Sequence, residues 1–298
     1  MPSLNSKILT RPRNFAFLLS ECRGLSSKAA FCNFVAGSIG SKLFGSTRPT
    51  DPSAPDKEVF LRLKEADLWF GTTSGELGRY MEVFSGPDCN LHAKEPIPGD
   101  AILDIGANIG MFTIRYARMF PACRSYAFEP NPAAYKRLVR NLAANYIRNA
   151  DAVNSAVGDA CGKRVFFVGL QSILGSLVET AGTTGKAAFE SEVVTLDAFC
   201  KARLIKSVSL MKINVEGAEM EVLKGAPITL ETTRSLIIEC HSDELGNSVE
   251  AHLSARGFDV TFKRVLREGL SVVHFAKPDS TLRQNLVSRL AHPVGSIA

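Results

Sequence analysis

Asp104-Ile105-Gly106-Ala107-Asn108-Ile109-Gly110 decides how this chain folds. Just before the glycines runs a short apolar stretch, Ala101-Ile102-Leu103-Asp104-Ile105. After them comes a helical pattern over residues 109–119, with Ile109, Phe112, Ile114 and Tyr116 apolar and Arg115 and Arg118 charged. Glycines at a tight strand-to-helix turn let the backbone approach a bound ligand, and open α/β sheets hold their ligands at the carboxyl ends of strands. A phosphate-cradling loop would read GxGxxG or GxxxxGK[ST]. Here Asn108 takes the second glycine position and no lysine follows.

The acid before the glycines narrows the ligand. Asp104 repels a pyrophosphate and suits the cationic amino group and sulfonium side of S-adenosylmethionine. A second acid, Glu129, ends the next predicted strand, Arg124–Phe128, 25 residues further on. At that position a carboxylate accepts hydrogen bonds from both ribose hydroxyls of an adenosine ligand.

From residue 101 onward apolar runs alternate with helical patterns, which predicts βαβ units and a parallel sheet. A helix is expected over Pro132–Asn145 and a third strand over Asp151–Val157. A hairpin inserted at Lys163–Val168 and Glu192–Leu196 follows, then strands at Ser207–Val215, Ser235–Cys240, Phe258–Lys263 and Leu270–Ala276. Three prolines between Thr47 and Asp56 mark a linker. The expected organisation is a basic appendage and linker over 1–56, a β-rich lead-in over 57–98, the main domain over 99–277 and a tail over 278–298. The glycines between 169 and 190 fit a mobile lid.

Composition excludes several classes. No apolar stretch reaches the roughly 18 residues of a membrane span. The seven cysteines form no CxxC pair, which argues against a zinc site or disulfide framework and fits a cytoplasmic protein. The formal charge of +5 sits at the start: residues 1–50 hold seven basic residues against Glu21 alone, a surplus of six, so residues 51–298 carry −1. A nucleic-acid groove needs its basic stripe on the folded domain, so RNA or DNA is disfavoured as substrate. The basic, serine-containing start also resembles a targeting segment, although Phe15–Leu19 is too short for a secretory signal.

Taken in order, Pro98–Gly110, Phe128-Glu129-Pro130-Asn131, Val194-Thr195-Leu196-Asp197, Met211–Glu219 and Ile237-Ile238-Glu239-Cys240-His241 resemble the FkbM family of methyltransferases. The resemblance spans roughly residues 90–276. It implies a Rossmann-like class I fold, a mostly parallel doubly wound sheet with an antiparallel last strand. It also implies S-adenosylmethionine as methyl donor and a sugar, glycan or other small molecule as hydroxyl acceptor. Donor-binding candidates are Asp104, Gly106, Asn108, Gly110, Glu129, Asn154 in the third strand, and Asn214. Catalytic candidates are Glu216 after the fourth main-domain strand, His241 after the fifth, and Lys212. The family pattern reads Lys-Ile-Asp-Val-Glu-Gly where this chain has Asn214. An amide is neither a carboxylate base nor a good ligand for a divalent cation, so no metal is expected. Two other readings stay open, a nicotinamide-dependent oxidoreductase and a methyltransferase-like binding protein without turnover.

Overall fold

The computed structural model describes residues 12–43, 58–71, 76–85, 94–168, 175–177 and 188–278. The proline-rich linker, most of the 169–190 segment and the tail beyond residue 278 lie outside these. The central sheet has seven strands. Three run outward on one side from β3 (Ala101–Ile105) through β4 (Arg124–Phe128) to β5 (Ala150–Val153). On the other side β3 borders β10 (Val208–Ile213), followed by β11 (Thr233–Cys240), β13 (Leu270–Ala276) and, at the edge, β12 (Asp259–Arg267). Pairings from β5 across to β11 are parallel, and β13 runs antiparallel to both its neighbours. The winding reverses between β3 and β10, so the ligand crevice of such a sheet opens at their carboxyl ends.

Side chains alternate across the sheet as its pleat requires. Leu103, Ile105, Met211, Ile213, Leu236 and Ile238 form one core with α6 (Leu196–Ala202), α7 (Glu219–Lys224), α8 (Pro227–Thr232) and α9 (Asp243–Ser254). On the opposite face Ile102, Leu210 and Ile237 meet Phe112 and Tyr116 of α4 (Met111–Met119). The helix α5 (Pro132–Ala144) begins where its residues dictate. Asn131 Oδ1 accepts from the backbone N–H of Ala133 at 2.9 Å, and Pro132 occupies the first turn.

Two expectations give way. The third predicted strand divides: β5 stays in the main sheet, while β6 (Ala156–Val157) joins a separate sheet with β9 (Ala188–Val194), β7 (Gly162–Val168) and β8 (Gly175–Ser176). The expected hairpin is the β7–β9 pair, and this small sheet packs Leu177 and Val193 against Ala218, beyond the end of β10.

Helices α1 (Pro12–Glu21) and α2 (Gly24–Leu43) bury Leu18, Phe31, Phe34 and Val35 in one cluster with Ile109, Ile114, Leu138 and Leu142. The lead-in supplies β1 (Glu58–Arg62) and β2 (Asp67–Gly71), as expected, and a helix, α3 (Glu76–Ser85), that the β-rich reading did not foresee. Glu21 accepts from Tyr80 of α3 at 3.1 Å and pairs with Lys64. A buried pair, Arg137 with Glu76 at 2.9 Å, fixes α3 to α5.

Candidate active site

The donor half starts at the end of β3. Asp104 is fully buried and accepts from Thr113 Oγ1 of α4 at 2.6 Å. Its Oδ1 lies 3.0 Å from Lys212 Nζ, directly opposite on β10. Lys212 also donates to the Gly106 carbonyl at 2.7 Å. These two residues, read from sequence as a ligand for the donor's amino group and as a catalytic residue, are turned toward each other. Together these contacts tie the glycine loop to α4 and β10.

Gly106 and Gly110 both have positive φ, and Asn108, a residue that tolerates this region, has φ 51°. A Cβ on Gly106 would lie 1.9 Å from the carbonyl oxygen of Asn214, so the loop rests directly on the end of β10.

Glu129 ties this loop to the next. Its Oε2 accepts from the Asn108 N–H and its Oε1 from the Asn131 N–H, both at 2.8 Å. Burial pushes its carboxyl up to about 7, against the pull of those two N–H groups and of Lys212. Two oxygens offer about four acceptor positions, so two remain for a ligand's diol. Asn154 Nδ2 donates to the carbonyls of Glu129 at 2.8 Å and Pro130 at 3.1 Å, holding the turn that carries the carboxylate.

The acceptor half gathers at the ends of β10 and β11. Glu216 and His241, widely separated in sequence, come together at 3.2 Å through His241 Nε2. The other ring nitrogen, Nδ1, faces buried Glu219 at 2.7 Å, and Glu239 lies 3.6 Å from Nε2. Carboxylates only accept, so both ring nitrogens carry a proton and the ring is a cation. Burial alone would lower its pKa, but the three carboxylates raise it to about 12. In that state the ring holds Glu216 and Glu219 in place.

Glu239 is held well below the usual carboxylate range. Burial acts against this, and the charges of Arg79 and His241 overcome it. Arg79 donates to Glu239 at 2.9 Å and lies 3.7 Å from Glu216. Asn214 Nδ2 donates to Glu239 at 2.7 Å, while its backbone oxygen lies against Gly106. Glu216, with φ 53°, occupies the left-handed region at a cost of about 1–2 kcal/mol. Its side chain is partly exposed and lies against His241 and Arg79.

Reading the residues in order missed Arg79 altogether and gave Glu239 and Glu219 no role. Arg79 had one available signal, the helical spacing of Tyr80 and Phe84, whose rings lie 4.8 Å apart. Among the described residues no group of three or more His, Cys, Asp or Glu is arranged to hold a metal ion.

Residues 104–260 match the model of the methyltransferase FkbM domain. Methyltransferase sdnD of Sordaria araneosa is 29% identical over 229 residues, covering 62% of this chain and 83% of that protein. The 31-O-demethyl-FK506 methyltransferase FkbM of Streptomyces tacrolimicus is 30% identical over 212 residues, covering 61% and 81%. The 2-O-methyltransferase NoeI of Sinorhizobium fredii is 28% identical over 160 residues, covering 50% and 66%. The domain match takes in more than half of the chain and both halves of the strand-end site except Arg79; the chain belongs to the FkbM methyltransferase family.

Proposed function

We propose that this methyltransferase moves the methyl group of S-adenosylmethionine to a hydroxyl oxygen of a glycan or other small-molecule acceptor. The observation that carries this reading is the meeting of two loops at Asn214. Its backbone oxygen lies against Gly106 of the donor loop, and its amide holds Glu239 of the carboxylate cluster. Two of the similar proteins are named for methylating oxygen. The residues present fit the donor, since Glu129 keeps acceptor capacity for the ribose diol beside a glycine loop that closely approaches β10.

The donor supplies an activated methyl on a sulfonium. The acceptor's hydroxyl oxygen would take that methyl as sulfur keeps the S–C electron pair, and Glu216 would hold the proton the hydroxyl gives up. His241 and Arg79 hold Glu216 in place, while Glu219 fixes His241. An in-line displacement of this kind depends mainly on positioning.

The test is an acceptor screen that follows formation of S-adenosylhomocysteine. Glu216→Gln is expected to lower kcat by about 10²- to 10⁴-fold, with donor binding weakened by no more than about tenfold. Donor binding with no turnover on any hydroxyl acceptor would leave the binding-protein reading. Turnover is expected to survive chelation, because Asn214 supplies an amide where a cation would need a carboxylate. Activity lost with chelator and restored by magnesium would overturn that. A cytoplasmic location goes with this reading, supported by the six described cysteines, all of which are free.

Glu129 makes donor affinity depend on pH. The ionised carboxylate accepts from both ribose hydroxyls, and the protonated form turns one oxygen into a donor. With its pKa raised to about 7, affinity is expected to rise between pH 6 and 8 and level off above. The same group works against folding as pH rises: its proton is held more tightly in the folded state, so stability falls between about 4.5 and 7. Glu129→Gln should weaken binding about tenfold at pH 8 and flatten the pH profile in calorimetry. A variant that keeps the wild-type slope would remove Glu129 from the donor site.

A further inference from the structure

We propose that Arg79 and the four ionised side chains it joins set the net charge of the acceptor end so that it distinguishes the charged methyl donor from its uncharged thioether product. This inference rests on the donor reading above.

The charges can be counted from the geometry. Glu216, Glu219 and Glu239 contribute three negative charges. Arg79 contributes one positive charge, and His241 another, because each of its ring nitrogens faces a carboxylate. The sum is −1. Asp104 and Lys212 lie 3.0 Å apart and cancel. Glu129 serves the ribose, which donor and product share.

The sulfonium is the only charge by which the two ligands differ. It must sit close to this cluster. If Glu216 takes the acceptor proton, one hydrogen bond, one near-attack contact and one S–C bond separate it from sulfur, a span of roughly 7 Å. The surroundings screen little: the side chains of Glu216, Glu239 and His241 are 11–14% exposed and that of Glu219 is buried. At that distance and a moderate protein dielectric, one unit charge is worth about tenfold or more in affinity.

The balance also follows the reaction. Before transfer, the cluster at −1 faces a sulfonium at +1. Transfer leaves sulfur neutral and puts the hydroxyl proton on Glu216, which brings the cluster to zero. Once that proton passes to water, the cluster returns to −1 and faces a neutral thioether that gives it no compensation. A fresh donor then binds in preference, and inhibition by product is held down. Arg79 sets this value. Without it the cluster would stand at −2. It comes from α3, outside the matched span of 104–260, so the domain's own residues do not fix the discrimination.

Calorimetry of the full chain with S-adenosylmethionine and with S-adenosylhomocysteine tests this without an acceptor. The wild type is expected to bind the charged donor about tenfold more tightly. Arg79→Gln should widen that ratio several-fold, Glu216→Gln should narrow it toward one, and Arg79→Lys should leave it unchanged. Thermal melts of each variant verify that it is folded. If both ligands bind and the ratio stays fixed across the variants, or the product binds more tightly to the wild type, the charge discrimination is wrong while the donor reading stands. If neither ligand binds, both fall together.

Discussion

A chain starting at Glu58 is expected to be insoluble, or to melt about 15 °C or more below the full-length protein. Leu18, Phe31, Phe34 and Val35 are all buried against the helices and strands of the donor half. Each large apolar side chain returned to water costs about 1.5–3 kcal/mol. Four of them approach the total stability of an ordinary domain, about 5–15 kcal/mol. The truncation also removes Glu21, leaving the buried Tyr80 hydroxyl without that acceptor. A single change samples the same contact: Phe31→Ala should cost about 3–5 kcal/mol in denaturant unfolding. A truncated protein that melts within a few degrees of the full chain would show that the two helices contribute little.

Gly106→Ala should be the most damaging single substitution in the donor half. The added Cβ would meet the Asn214 carbonyl at 1.9 Å, and neither partner is a flexible side chain that could move aside. The left-handed backbone adds about 1–2 kcal/mol for any residue with a Cβ. The loop must lift from β10, separating the donor turn from the residue that links it to the acceptor cluster. Stability is expected to fall by more than about 4 kcal/mol, and donor affinity by about 100-fold or more. Gly99→Ala is the control. It shares a positive φ but has nothing within 4 Å of the new carbon, so it should cost about 1 kcal/mol. Equal effects at the two positions would mean that Gly106 is needed only for its dihedral angle.

The donor half was readable because its chemistry is local. Asp104 to Gly110 forms one turn, and the strand before it is a fully buried apolar run with its acid near the end. Strand identities survived for the same reason, since buried parallel strands have little choice but continuous apolar residues. The division at Asn154 and Ser155 was not readable, because an unbroken apolar-leaning run does not say to which sheet each half belongs. The acceptor half was half readable. Glu216 and His241 stand at strand ends, where side chains meet ligands. The charge of His241 depends on Glu219 and Glu239 arriving from other positions. Arg79 comes from a helix masked by β-like neighbours, and no local pattern ties it to a glutamate 160 residues away. The docking of α1 and α2 was hidden by their basic charge, although Phe15, Phe31 and Phe34 were apolar enough for it.

That separation of 160 residues between Arg79 and Glu239 also sets a clock on biosynthesis. A ribosome adding about 5–20 residues per second needs roughly 8–30 s to travel from one to the other. Through most of that interval β10 and β11 have not been made, so the pairing of Arg79 with Glu216 and Glu239 waits. Phe31, Phe34 and Tyr80 pack in a cluster drawn from residues up to 152, so that face closes first, while the half of the sheet beyond β3 is still exposed. Slower decoding between residues 85 and 239 lengthens this window and raises demand for chaperones, with no change in the finished protein.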